Sequence, residues 1–162
     1  MNGFCLPENF KIVQGLPPTV GAAAALTGAY ISVKNAQRVY VIFQYRQADG
    51  TAITFRVDRA TAIDGTGVVV TASLMPIWSN LATATSDLMV ARTAAINYAA
   101  DVGQAFKVIV MEVDPAALGS DYDVIRGATT TAIANTSWLS ILYIVEPRYQ
   151  SRVLTQPSVV TD

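Results

Sequence analysis

The chain contains no long segment whose apolar residues recur with the helical period, and its clearest patterns alternate at every second residue. In residues 38–46, Val41 and Phe43 share one face, and residues 51–58 place Phe55 on an equivalent face. Alternation with β-branched and aromatic residues is typical of half-buried strands. We therefore expect an all-β protein in which these two strands pair with each other in antiparallel orientation.

Further short strands follow, separated by glycine, proline and aspartate. The predicted strands are residues 38–46, 51–58, 68–72, 85–92, 94–99, 105–113, 121–126 and 137–146. About eight short strands with such turns predict an antiparallel β-sandwich or a jelly-roll-like barrel. Because glycine and proline interrupt residues 1–29, we expect an irregular N-terminal arm and lead-in there. Residues 30–149 then form the β-sandwich domain, and residues 150–162 form a C-terminal tail.

Charge is scarce in this sequence, since 52% of the residues are hydrophobic and only 14% are charged. Residues 105–113 and 137–146 are apolar on both faces, whereas a strand of an antiparallel sandwich usually has one buried and one solvent-exposed face. Either the N-terminal arm or a neighbouring subunit could bury the second face, and the sequence does not decide between them. Large exposed apolar patches usually mark interaction sites, so a neighbouring subunit as the cover points to assembly, whereas the arm would only complete the chain's own core.

The residue inventory excludes several classes of chemistry. The chain has no histidine, so it has no Ser-His or Cys-His pair and no His-bearing metal site. The single Cys5 cannot form an internal disulfide. The net charge is −1 without a basic run, which argues against a nucleic-acid partner. The longest uncharged stretches contain glycine, proline or threonine, so we expect no membrane partner.

The N-terminus lacks a basic region, so we expect a soluble protein made in the cytoplasm without a signal peptide. Weak candidates for chemistry remain. Carboxylates at strand ends, such as Glu112, could serve as glycosidase catalytic groups only if two of them formed a pair. Asp121 and Asp123 could bind Ca²⁺ weakly, but they supply fewer oxygen ligands than a Ca²⁺ site needs. Aromatic side chains could form a sugar platform, although strand aromatics usually lie in the core. Those groups are Glu112, Asp114 and Glu146 for the carboxylates, and Tyr40, Tyr45, Trp78, Trp138 and Tyr143 for the aromatics. We expect no enzyme, no catalytic residue, no cofactor and no metal.

Several stretches, in order along most of the chain, resemble one family. They are FKIVQGLPP (10–18), TGAYISVKNAQRVYVIFQY (27–45), RATAIDGTG (59–67), the pair Ile77-Trp78, KVIVMEVDPAAL (107–118) and YIVEPRY (143–149). The chain resembles the capsid decoration, or cement, proteins of tailed bacteriophages. The resemblance implies a structural virion protein that binds the outer capsid surface, contacts the major capsid protein and stabilises the lattice. It also implies a homotrimer, located on the virion and assembled in the host cytoplasm.

Apolar residues in the arms cannot all belong to the core, so we expect some of them to dock on the capsid. These candidate interface residues are Phe4, Leu6, Phe10, Val153, Leu154, Val159 and Val160. The composition also fits another virion subunit, from the tail tube, the head-completion complex or a fibre base. A glycan-binding β-module is a further alternative, motivated by the strand aromatics.

Overall fold

Two antiparallel β-sheets pack face to face in the computed structural model, which describes residues 6–48, 50–101, 103, 105–149 and 159–160. The predicted all-β sandwich is confirmed. The described residues form eleven strands, with one short helix α1 (Leu6–Asn9) and a 3₁₀ turn at Pro115–Ala117. The strands are β1 (Lys11–Val20), β2 (Ile31–Ser32), β3 (Ala36–Arg46), β4 (Ile53–Ala60), β5 (Val69–Val70), β6 (Met75–Asn80), β7 (Val90–Ala95), β8 (Asn97–Ala100), β9 (Phe106–Val113), β10 (Val124–Thr129) and β11 (Trp138–Pro147).

The first sheet has six strands in the order β1-β11-β3-β9-β6-β7. The second sheet has the order β2-β10-β4-β5, and β8 also pairs with β4. Alternate side chains of β3, β9 and β11 point into the core between the sheets. They include Phe43 on β3, Ile109 on β9 and Ile141 on β11, none more than 1% exposed. Since successive residues of a strand face opposite ways, the remaining side chains of these strands form the outer face of the first sheet.

The predicted pairing of residues 38–46 with residues 51–58 is wrong. Strand β3 pairs with β9 and β11, and β4 belongs to the other sheet. The two strands instead face each other across the core, where the ring centroids of Phe43 and Phe55 are 5.1 Å apart. Both strands carry the inward alternation that suggested pairing, because each of them buries one face against the opposite sheet.

The structure also differs from the irregular lead-in expected over residues 1–29. Strand β1 occupies Lys11–Val20 and pairs with β11 at one edge of the first sheet. Pro17 and Pro18 are tolerated there because an edge strand needs hydrogen bonds on only one side. The ladder shifts register on both sides of Leu16, which accommodates the prolines. Residues 1–5 lie outside the described residues.

Candidate interaction surface

A continuous apolar surface runs across the outer face of the first sheet. Ile42 on β3 lies between Leu142 on β11 and Val110 on β9. In the neighbouring row, Tyr40 lies opposite Ile144. The strand registers add Ile12 and Trp78 at the two sides. We call this surface the apolar band, and its members are Ile12, Tyr40, Ile42, Trp78, Val110, Leu142 and Ile144. All are half-buried except Ile12, which is exposed.

The N-terminal segment does not lie across this band in the described residues. From Leu6 to Val20 the chain forms α1 and β1, and β1 pairs with β11 at the edge of the sheet. Of the two covers considered from the sequence, the described part of the arm therefore leaves the band open. A neighbouring subunit as the cover stays a prediction.

One end of the outer face is a groove lined by exposed aromatic side chains. Trp138, Arg46 and Phe106 lie opposite one another on three adjacent strands. Trp138 is 46% exposed and Phe106 is 53% exposed. The guanidinium carbon of Arg46 is 5.9 Å from the centroid of the Phe106 ring, and its Nη1 donates to the carbonyl of Thr136 at 3.2 Å. This aromatic groove has a volume of about 580 Å³, and Gln44, Val108 and Ser140 also line it.

The opposite end of the outer face is charged, with one arginine between two glutamates. The Nε atom of Arg38 is 3.0 Å from Oε1 of Glu112, and Glu146 lies opposite Arg38 in the ladder. The hydrogen bond to Tyr40 and the nearby Glu112 carboxylate raise the pKa of Arg38, so it stays a cation. The outer face therefore changes from a charged end, through the apolar band, to the aromatic groove.

The outer face of the second sheet has a different character. Asp58 on β4 is buried, although the register places it on the side facing away from the core. Its carboxylate is 2.8 Å from Nε of Arg56 and 3.1 Å from Nε of Arg126. The Arg126 guanidinium in turn stacks 4.7 Å from the centroid of the Tyr30 ring. The carboxylate of Asp58 is buried, while the side chains of Arg56 and Arg126 are 28% and 21% exposed, so this face presents a charged cluster where the first sheet presents the apolar band.

The candidate docking residues from the arms fall in different environments. Leu6 is 39% exposed and Val160 is 45% exposed. Phe10 is half-buried, and its backbone N–H donates to the carbonyl of Leu6 at 2.8 Å. Val159 packs against the core of its own chain, and its carbonyl accepts a hydrogen bond from the N–H of Ser32 at 2.7 Å. Phe4, Val153 and Leu154 lie outside the described residues, and the docking role of the whole set stays a prediction.

The carboxylates considered for chemistry take structural contacts. Asp114 caps the 3₁₀ turn by accepting from the N–H of Ala116 at 2.9 Å, and Asp123 lies 3.6 Å from Lys34. Glu112 pairs with Arg38, as described above. No group of three or more Asp, Glu, Cys or His side chains is close enough to hold a metal ion within the described ranges.

The aromatic platform suggested by the sequence is divided by the sandwich. Tyr45 and Tyr143 lie in the core, whereas Tyr40 and Trp78 belong to the apolar band. Trp138 is exposed in the aromatic groove, where its neighbours are Phe106 and Arg46. No pattern in the sequence links these two residues to Trp138, because only the strand register brings them together.

The fold defines the protein as a two-sheet antiparallel β-sandwich whose first sheet carries an apolar band on its outer face in the described residues. Among the residues that the structure describes, no helix is long and apolar enough to cross a bilayer. No family model matches the sequence, and no curated protein matches it. Among solved structures, the chain is similar to the SPBc2 prophage-derived protein YomS, with 9% sequence identity and a TM-score of 0.48. That match covers 84% of this chain and 91% of the YomS chain.

Proposed function

We propose that this protein is a structural virion protein that binds the outer surface of a phage capsid and stabilises the lattice. The apolar band on the outer face of the first sheet is the observation that carries the proposal. The stretches that resemble decoration proteins supply β1, β3 and β9 and the end of β11, which are the strands that build this face. The role is one of binding, without catalysis or a cofactor.

The physical basis of stabilisation is mass action. A ligand that binds only the mature lattice stabilises that lattice by RT ln(1 + [L]/Kd), where [L] is the concentration of free ligand and Kd its dissociation constant. Binding at many symmetry-related sites multiplies the effect across the shell. We propose the major capsid protein as the partner and a homo-oligomer as the binding form, with a homotrimer as the state that the resemblance implies.

Capsid binding with matched surface variants tests the proposal. Ile12→Ala shortens an exposed side chain of the apolar band, and Trp138→Ala and Phe106→Ala remove exposed rings from the aromatic groove, all without opening the core. Leu74→Ala removes a side chain that is 70% exposed and belongs to neither the apolar band nor the aromatic groove, so it serves as the control. Hot-spot aromatics at an interface cost more than about 1–2 kcal/mol when truncated, so we expect about tenfold weaker binding or more for each ring variant.

The wild-type protein and Leu74→Ala should saturate mature shells stoichiometrically and raise the temperature at which they break. A protein that fails to associate with virions removes the proposal. Equal binding by all variants would show that the docking surface lies elsewhere on the molecule. Labelled protein found on the tail rather than the head would instead favour a tail-tube, head-completion or fibre-base subunit.

The aromatic groove also supports a second candidate function, glycan binding. Exposed Trp138 and Phe106 offer apolar ring faces, while Arg46, Gln44 and Ser140 offer polar groups beside them. The hydroxyl of Ser140 donates to Oε1 of Gln44 at 3.1 Å, so the amide nitrogen of Gln44 can donate to a ligand. A glycan array that gives a signal lost in Trp138→Ala would support this candidate, and an array without signal would dismiss it.

A further inference from the structure

Two arginines on the outer face of the second sheet share one carboxylate. Arg56 on β4 and Arg126 on β10 approach Asp58 from two sides, with their Nε atoms 2.8 Å and 3.1 Å from its two carboxylate oxygens. Asp58 is 1% exposed, so its negative charge lies beneath the arginines. Among the described residues it is the only carboxylate that pairs with either arginine. The cluster therefore keeps one positive charge that no ion pair within it balances.

Each of these arginines has unused donors at the end of its side chain. A guanidinium has five N–H donors in a planar fork, and an acceptor at Nε occupies only one side of that fork. The terminal amino groups of Arg56 and Arg126 make no hydrogen bond to another described residue. The two side chains are 28% and 21% exposed, so solvent reaches part of each. The ends of both guanidiniums can therefore bind an anion while their Nε atoms stay on Asp58.

The arginine side chains are held in place before any ligand binds. Arg126 lies directly opposite Asp58 in the ladder between β10 and β4, and its guanidinium stacks 4.7 Å from the centroid of the Tyr30 ring. Arg56 lies two residues before Asp58, on the same face of β4. Groups that are already ordered lose little entropy on binding. Their partly buried position also strengthens the attraction to an anion relative to open solvent.

The cross-strand neighbours of Arg56 are uncharged. The register places Ala128 on β10 and Asn97 on β8 directly opposite Arg56, one on each side. Side chains directly opposite each other have Cβ atoms about 4.5–5.5 Å apart, so the Asn97 amide lies near the Arg56 guanidinium. Asn97 is exposed, and its amide nitrogen is a further donor type. This part of the face therefore offers donors to an anion without an additional carboxylate to repel it.

We propose that Arg56 and Arg126 form a binding site for a phosphate group, supplied by inorganic phosphate or by a phosphate monoester. Both Nε atoms contact one carboxylate, so the two guanidiniums are close enough for a single anion to contact both. Guanidinium groups bind phosphate oxygens through paired N–H contacts. Phosphate has enough oxygens to accept from two such forks, whereas the two oxygens of a carboxylate fill one. This inference goes beyond capsid binding and concerns the other sheet.

Titration with phosphate tests the site directly. Inorganic phosphate is added to the protein at constant ionic strength, kept with sodium chloride, and binding is followed by NMR chemical shifts. We expect saturable binding with a Kd on the order of 1 mM, and at least about tenfold weaker binding of acetate. Phenyl phosphate distinguishes the two sources. Binding as tight as that of inorganic phosphate, or tighter, assigns a monoester, and weaker saturable binding assigns the free ion.

Three variants locate the binding on this cluster. Arg56→Lys and Arg126→Lys keep the charge but lose the planar fork, so each should weaken phosphate binding at least about tenfold. Asn97→Asp places a carboxylate beside Arg56 and should weaken binding similarly, while both arginines stay unchanged. Arg38→Lys is the matched control, because Arg38 pairs with Glu112 on the other sheet. Melting curves show which variants keep the fold, and the exposed position of Asn97 keeps the test available if an arginine variant does not.

Three results would overturn the inference. The first is wild-type protein that shows no saturable response up to about 50 mM phosphate. The second is acetate binding as tight as phosphate binding, which would exclude a site built for phosphate. The third is phosphate binding that all three variants leave unchanged, which would place the anion elsewhere. None of these results depends on capsid binding, so this inference and the proposed function can fail separately.

Discussion

At the scale of single residues, Tyr143 is the polar group that ties the two sheets and the N-terminal segment together. Its hydroxyl donates to the carbonyl of Ala29 at 2.9 Å and accepts from the N–H of Gly127 at 3.0 Å. Burial is the largest influence on this phenol and raises its pKa from 10.0 to about 12. The folded state therefore favours the protonated, neutral form of the Tyr143 hydroxyl.

Stability should fall in alkali because of Tyr143. The unfolded phenol loses its proton near pH 10 and the folded phenol only near pH 12, so its contribution is complete below about pH 10. The contribution is lost as the pH rises from about 10 to about 12. Two pKa units correspond to roughly 2–3 kcal/mol. Urea unfolding as a function of pH should show this loss in wild type.

The variant Tyr143→Phe should lack the Tyr143 part of that alkaline decline. At neutral pH it should be less stable by about 1–3 kcal/mol, because the N–H of Gly127 and the carbonyl of Ala29 lose their partner. An unchanged alkaline profile in this variant would assign the decline to other tyrosines.

Gly15 should not tolerate a side chain. A Cβ atom at this position would lie 2.7 Å from Cζ of Tyr143, so either β1 or the ring must shift. Overpacking of this kind costs about 1–3 kcal/mol, and we expect Gly15→Ala to lose stability by that amount in urea unfolding. At Gly50 a Cβ atom would meet nothing within 4 Å, so Gly50→Ala is the matched control. Equal stability of the two variants would contradict the close approach of β1 to Tyr143.

At the scale of elements, the pairing of β4 with β10 depends on a buried carboxylate. Asp58 lies directly opposite Arg126 in the ladder, and Arg56 approaches it from within β4. Removing one member of a buried ion pair leaves its partners without compensation. We expect Asp58→Ala to cost about 3–5 kcal/mol in urea unfolding.

The exposed pair between Lys34 and Asp123 provides the comparison for Asp58. Its side chains are 52% and 36% exposed, and such surface pairs contribute about 0–1 kcal/mol. Asp123→Ala should therefore unfold nearly as wild type does. If Asp58→Ala matched it, the arginine cluster would be a weak surface contact.

The strands with clean alternation were predictable from the sequence, and their partners were not. Inward β-branched and aromatic residues located β3, β4, β9 and β11 within a few residues of their bounds. The same alternation is required whether two strands lie side by side or face each other, so it could not reveal that β3 and β4 occupy different sheets. Strands β1 and β6 were missed because they contain Pro17, Pro18 and Pro76.

The candidate surface was predictable in part. The apolar second faces of residues 105–113 and 137–146 point outward as expected, with Val110 and Leu142 in the apolar band. The aromatic groove was not predicted, because Arg46, Phe106 and Trp138 lie far apart in the chain and meet only through strand register. The edge position of β7 could not be predicted from the sequence either, because it depends on the strand order of the whole sheet.

At the scale of the whole molecule, the distribution of charge predicts how association responds to salt. The apolar band carries no charged side chain, so capsid docking through it has little to screen. We expect the docking affinity to change less than about threefold between low and high salt, measured by co-sedimentation with mature shells. Detachment at moderate salt would contradict docking through this face.

The position of β11 affects how the chain reaches its native state during synthesis. This strand lies between β1 and β3, so the first and last of the described strands are neighbours. Until β11 has been synthesised, β1 has no partner strand and one edge of β3 is unpaired. Pairings between distant parts of a sequence form slowly, so the sheet can close only after β11 has left the ribosome. A nascent chain should therefore be vulnerable to proteases until its last strand emerges.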